Sequence, residues 1–189
     1  MNLPTKGRLF SLRSAAVVMA VAALTVAGSV SPASAAPTAS SASIGVVARY
    51  GNGYLNLAQS WGTAQSCVMT RAGTTCYSTS AVADAATGAP YRGTTDSGAT
   101  RAFNDCAAGY LCLWADSGYN GRRLQFRDEN WQSLVPYGFQ GQTSSWRNFQ
   151  SCSDSASLGN GQGGILQLSG CASASSMGSW DNQAVDVHG

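Results

Sequence analysis

The chain has 189 residues, with 44% hydrophobic but only 11% charged side chains and a formal charge of +2. Three of its basic residues, Lys6, Arg8 and Arg13, stand near the start. The rest of the chain holds eight arginines against nine acids, a formal charge of −1. That near-neutral balance excludes a basic surface for nucleic acid or anionic lipid.

In chain order, the basic start precedes an apolar run at 15–28, AAVVMAVAALTVAG, and then SVSPASAAPT with the small-x-small tripeptide Ala33-Ser34-Ala35. Charged region, short apolar region and small-residue cut site predict a signal peptide over residues 1–35, cleaved after Ala35 or one residue to either side. The run is too short to cross about 30 Å of hydrocarbon, and no second one follows. A secreted, extracellular product is expected, without membrane contact after cleavage. Roughly 154 residues then remain, enough for one domain or two small ones. Their wealth of Gly, Ser, Thr and Ala suits short elements and many turns.

Segment 37–43, PTASSAS, reads as a polar, flexible start to the mature chain. IGVVARY at 44–50 predicts a short strand and Gly51-Asn52-Gly53 a turn. Cys67 to Cys76 predicts a hairpin with Ala72-Gly73 at its tip. Ser80 before AVADAA offers an N-cap and one or two helical turns, with Asp84 near the positive end. TGAPYRGTTDSGAT at 87–100 reads as a linker, placing a boundary near residue 100 between an N-terminal segment, 36–100, and a domain, 101–189. Beyond it, 111–114 (LCLW), 123–126 (RLQF) and 144–148 (SSWRN) are strand candidates separated by Gly-rich turns. Short strands at this spacing predict an antiparallel sandwich rather than a parallel sheet.

Cys67, Cys76, Cys106, Cys112, Cys152 and Cys171 make an even set, expected to pair as staples in an oxidising compartment. Fifteen connectivities are open. The sequential pairing 67–76, 106–112 and 152–171 is expected, because each pair brackets a short turn-rich stretch.

An internal repeat is visible. GRRLQF at 121–126 recurs as GGILQL at 163–168, and FQGQ at 139–142 loosely as WDNQ at 180–183. The spacing predicts two motifs of about forty residues, the size of a four-stranded Greek key.

WADSGYNG at 114–121 fits aromatic-x4-aromatic-x-Gly through Trp114, Tyr119 and Gly121. This resembles the signature of the βγ-crystallin Greek key, in which the first aromatic folds over the following hairpin. QTSSWRN at 142–148 resembles the end of that motif, and CAAGYLCLW at 106–114 the disulfide-tied first strand of a family of secreted actinobacterial proteins. That family is grouped with peptidase inhibitors of the metalloproteinase-inhibitor type. TTCYSTSAVAD at 74–84 also resembles stretches placed ahead of such domains. In the second motif the positions matching Trp114 and Tyr119 hold Ala156 and Gly161. The resemblance implies an all-β, βγ-crystallin-like Greek-key sandwich of two motifs, preceded by a small irregular region with a hairpin and a short helix.

The sequence is poor in catalytic groups. The one histidine, His188, stands next to the last residue, where chains usually fray, so a histidine-based nucleophile or zinc site is not expected. Asp128 and Glu129 are adjacent and would point opposite ways on a strand, unlike a glycosidase pair; they read as turn residues. GNGQGG at 159–164 precedes a strand-like ILQL and reads as a hairpin rather than a phosphate loop. Many modules of the resembled type bind calcium through an acidic half and a hydroxyl half. Here 140–145 (QGQTSS) keeps only the hydroxyls and 181–186 (DNQAVD) only the acidic half, so tight calcium binding is not expected. Catalytic, cofactor-binding and metal-ligating residues are therefore expected to be none, and the protein is not expected to be an enzyme. Trp114, Trp131, Trp146, Tyr110, Tyr119 and Tyr137 are expected to fill the core, with a sugar-stacking or protein-binding surface as the alternative.

The resemblance implies a monomeric inhibitor whose partner is an extracellular protease of the metalloproteinase type, blocked by a rigid substrate-like loop. VPYGF at 135–139 is the apolar candidate for that loop. The alternatives are a non-inhibitory module that binds wall carbohydrate or weak calcium, and an antimicrobial toxin-like protein.

Overall fold

The computed structural model describes residues 44–88 and 106–189. The expected leader, the segment 37–43, most of the linker and the boundary near residue 100 lie outside the described residues. The described strands are β1 (Val47–Tyr50), β2 (Gly53–Asn56), β3 (Ser66–Thr70), β4 (Gly73–Tyr77), β5 (Leu111–Asp116) and β6 (Asn120–Phe126). They continue as β7 (Trp131–Ser133), β8 (Ser145–Asn148), β9 (Ala156–Gly159), β10 (Ile165–Leu168), β11 (Ser173–Ala174) and β12 (Asp186–His188). One helix, α1 (Ser80–Thr87), follows β4.

The strands make an eight-stranded sheet ordered β11-β8-β5-β6-β3-β4-β1-β2 and a four-stranded sheet ordered β10-β9-β12-β7. Each repeat lends its third strand to the sheet of the other. β7 leaves β5, β6 and β8 to pair with β12, and β11 leaves β9, β10 and β12 to pair with β8. The repeated stretches fall on corresponding strands, β6 and β10, as the two-motif reading requires.

The sandwich is not wholly antiparallel. β3 runs parallel to β6, and β1 parallel to β4. Without β3, the backbone of β6 would end the sheet as an open edge, which invites pairing with other chains. The four strands of 47–77 cover it, so the sheet continues from the expected N-terminal segment into the two-motif region. The linkage is long-range and leaves no trace in local periodicity.

The main core lies between the sheets. Leu111, Leu113, Leu124 and Phe126 from the large sheet meet Ala156, Leu158, Leu168 and Val187 from the small one. The alternate residues of β5, Cys112 and Trp114, point to a second cluster with Val68, Ala83 and Tyr110. Its strand sequence LCLW is therefore buried on both faces, like a central strand.

Helix α1 is capped one residue earlier than expected. The Oγ1 of Thr79, rather than Ser80, accepts from the Val82 amide at 3.2 Å, and Gly88 closes the helix in the left-handed region at φ 72°. Asp84 is the fifth helical residue and is buried. It serves an ion pair with Arg123, not the helix dipole.

All six cysteines pair sequentially: Cys67–Cys76, Cys106–Cys112 and Cys152–Cys171. The first joins facing residues of the β3–β4 hairpin, whose two turn residues are Arg71 and Ala72, one position before the expected tip. Each bridge stabilises the fold by roughly 2–4 kcal/mol, chiefly by restricting the unfolded chain. Three such bridges are consistent with an extracellular protein.

Candidate functional site

The hairpin between β5 and β6 folds back as its signature predicts. The rings of Trp114 and Tyr119 meet edge to face, with centroids 5.4 Å apart at 72°. Tyr119 itself adopts a left-handed backbone at φ 62°, which an ordinary side chain rarely accepts. Ser145 holds it there. Its hydroxyl accepts from the Tyr119 amide at 3.0 Å and donates to the Asp116 carbonyl at 2.7 Å. Gly121 follows at φ 75°, where a Cβ would lie 2.4 Å from the Asp116 carboxylate. Asn148, at the other end of β8, donates to the carbonyls of Asp154 and Leu168 and so ties the first motif to the second.

The second motif keeps the backbone of this device without its aromatics. Gly161 takes φ 71° where Tyr119 has 62°, and Gly163 takes 89° where Gly121 has 75°. Loss of the rings at Ala156 and Gly161 is therefore compatible with the same hairpin path.

Beside the first hairpin lies a polar cleft of about 580 Å³, lined by Asp116, Ser117, Arg122, Gln142, Ser144 and Asn182 among others. Here the two incomplete calcium motifs meet. The Ser144 hydroxyl of the first donates to the Asn182 side-chain carbonyl of the second at 3.3 Å. Reading each copy alone misses that juxtaposition, because the halves come from residues 38 apart. The cleft also holds a cation of the chain itself. The Arg122 guanidinium occupies the same cleft, donates to Gln142 and sits 4.8 Å over the Trp61 ring. Burial pushes this guanidinium down from its ordinary pKa, while the Asp116 charge pulls it back up. Asp116 thus faces an internal cation across the cleft. Among the described residues no group of three or more His, Cys, Asp or Glu could hold a metal ion.

His188 does not fray; it pairs within β12, its ring 5.6 Å from that of Trp131. Asp128 lies 3.8 Å from Arg71, while Glu129 accepts from Gln150, so these adjacent acids have separate partners. Trp114, Trp146, Tyr110 and Tyr137 are core residues and Tyr119 is partly buried, but Trp131 stands half exposed on the small sheet.

The proposed apolar loop is corrected outright. Val135–Tyr137 forms a 3-10 turn, and both Tyr137 and Phe139 are buried. The Pro136 carbonyl accepts from the Val46 amide, and that of Tyr137 from the Trp61 indole, each at 2.8 Å. This stretch joins the 44–88 region to the core, leaving only Val135 of its large apolar side chains exposed. The β3–β4 hairpin is presented far better: Cys67–Cys76 closes it, and the Arg71 side chain at its tip is 92% exposed. Thr70 steadies the turn, its Oγ1 accepting from the Ala72 amide and donating to the Gly73 carbonyl.

Residues 99–155 match the model of peptidase inhibitor family I36. That stretch, under a third of the chain, is similar to the I36 inhibitor family. The matched stretch includes the folded hairpin of Trp114, Tyr119 and Gly121, the clamping Ser145 and the tie made by Asn148. No curated protein matches the chain. Among solved structures, a βγ-crystallin from Ciona intestinalis is similar at 22% identity, over 42% of this chain and 98% of its own, with a TM-score of 0.35. The N-terminal domain of Protein S is similar at 13% identity, over 42% and 92%, with a TM-score of 0.36.

Proposed function

We propose that the protein is a secreted, non-enzymatic peptidase inhibitor that blocks an extracellular metalloproteinase with a rigid, substrate-like loop. The observation that carries this reading is the match of residues 99–155 to the I36 inhibitor family. The loop we assign is the Cys67–Cys76 hairpin with Arg71 at its tip. A loop already ordered by a disulfide and a sheet loses little freedom on binding, which favours affinity. Arg71 sits in the two-residue turn between paired strands, so the tip is held in one place and projects from the sheet.

The test is titration of the purified mature chain against a thermolysin-type metalloproteinase, with an arginine-cleaving serine peptidase in parallel. Stoichiometric inhibition of the metalloproteinase, weakened at least tenfold by Arg71→Ala, is expected. No inhibition of either enzyme at a large molar excess removes the inhibitor reading. Inhibition of the serine peptidase alone transfers the target class, and insensitivity to Arg71→Ala transfers the loop.

A further inference from the structure

The outer face of the four-stranded sheet sets two exposed apolar side chains, Trp131 and Ile165, among small and polar ones. Strand registers place Ser133, Asp186, Gly159 and Ile165 in one row across it, and Trp131, His188, Ser157 and Gln167 in the next. Trp131 begins on the edge strand β7, yet a Cβ on Gly159, two strands away, would lie only 3.5 Å from its Cζ3. The same Cβ would be 3.7 Å from Ile165. The indole thus reaches across β12 while 51% of Trp131 stays exposed. The ring therefore leans over the sheet, tilted 60° to the His188 ring, with half of the residue left in water. A Cβ at Gly159 would just touch the ring in ordinary contact, while a long side chain such as leucine would have to displace it.

We propose that this face binds a glycan strand, with a pyranose ring stacked on the Trp131 indole. A pyranose presents an apolar C–H face and a rim of hydroxyls. The flat indole suits the first, and the His188, Asp186 and Gln167 side chains around it supply donors and acceptors for the second. The charge on the face argues for this occupant over others. It carries one carboxylate and one imidazole and no arginine, so a nucleic acid would find no cation for its phosphates. Its apolar part is a strip of two side chains, Trp131 and Ile165, much smaller than a stable protein interface requires. The site is separate from the Cys67–Cys76 hairpin and does not depend on the inhibitor reading.

The mature chain is mixed with chitin, microcrystalline cellulose and peptidoglycan, and the retained fraction is measured; soluble oligosaccharides are followed by tryptophan fluorescence. The wild type is expected to bind at least one matrix, and the three arms identify which glycan. Trp131→Ala is expected to weaken retention at least tenfold, Trp131→Phe to keep most of it, and Gly159→Leu to weaken it with the indole still present. Peptidase inhibition should be unchanged in all three, and melting curves check that each variant is folded. Absence of retention on every matrix, or equal retention of Trp131→Ala, overturns the proposal. So does a concentration-dependent dimer, lost in Trp131→Ala, from a chain that binds no glycan, because the face would then belong to a second copy.

Discussion

Arg123 and Asp84 form a buried ion pair across 39 residues, with Nη2 and Oδ1 2.6 Å apart. The Arg123 side chain has no exposed surface and that of Asp84 has 7%. Arg123 also donates from Nε to the Ser66 hydroxyl and from Nη2 to the Ser80 carbonyl. A single guanidinium therefore holds together β6, β3 and α1, the same elements that join the 44–88 region to the two-motif region.

Removing one partner of such a pair leaves a buried charge uncompensated. Asp84→Ala is expected to destabilise the protein by about 3–5 kcal/mol, read from equilibrium urea unfolding. Replacing both partners, with Arg123→Met beside Asp84→Ala, should recover part of that loss. A double variant no more stable than Asp84→Ala would contradict the charge argument.

Gly138 tests the junction from another side. It ends the 3-10 turn at φ 59°, and a Cβ there would lie 2.4 Å from the backbone carbonyl oxygen of Leu57. Neither backbone can step aside cheaply. Gly138→Ala should cost about 1–2 kcal/mol for the left-handed conformation alone, and more from displacing Leu57. A melting temperature equal to the wild type would show that the contact is not tight.

Alkaline stability should depend on Tyr137. Its burial first, and the nearby Asp128 charge second, push its phenol pKa above the usual value of about 10. Its hydroxyl lies 2.8 Å from Gln132 Oε1 and donates to it. The folded state thus favours the neutral phenol. That contribution is fully present below the unfolded pKa and is lost as the pH rises from there through the higher folded value. Tyr77 is shifted the same way, by burial and then by Tyr110, against the opposing pull of Arg49. Unfolding measured above pH 10 should steepen in the wild type and be less steep in Tyr137→Phe.

Calcium should matter little. With Arg122 in the cleft beside Gln142, millimolar calcium is expected to leave the melting temperature unchanged, and a chelator should not lower it. A rise of several degrees would show that Ser144 and Asn182 do complete a site despite the guanidinium.

The sequence alone determined what depends on neighbours along the chain. The pairing of each cysteine with the next is one example, since each bridge closes a short turn-rich loop. The hairpin of Trp114, Tyr119 and Gly121 is another, because its aromatics and glycine are local requirements of one tight fold. The two-motif repeat was legible for the same reason. Only the tertiary structure decided what depends on distant partners. Alternation in a strand marks two faces but does not say which is covered, so Trp131 could not be told from Trp114. An apolar loop reads alike whether it projects or packs, and Val135–Tyr137 packs because residues 44–61 lie over it. The parallel pairing of β3 with β6, and the ion pair of Arg123 with Asp84 beside it, have no local signature at all. They arise because an open sheet edge and a buried charge must each find a partner, and folding brings those partners from far along the chain.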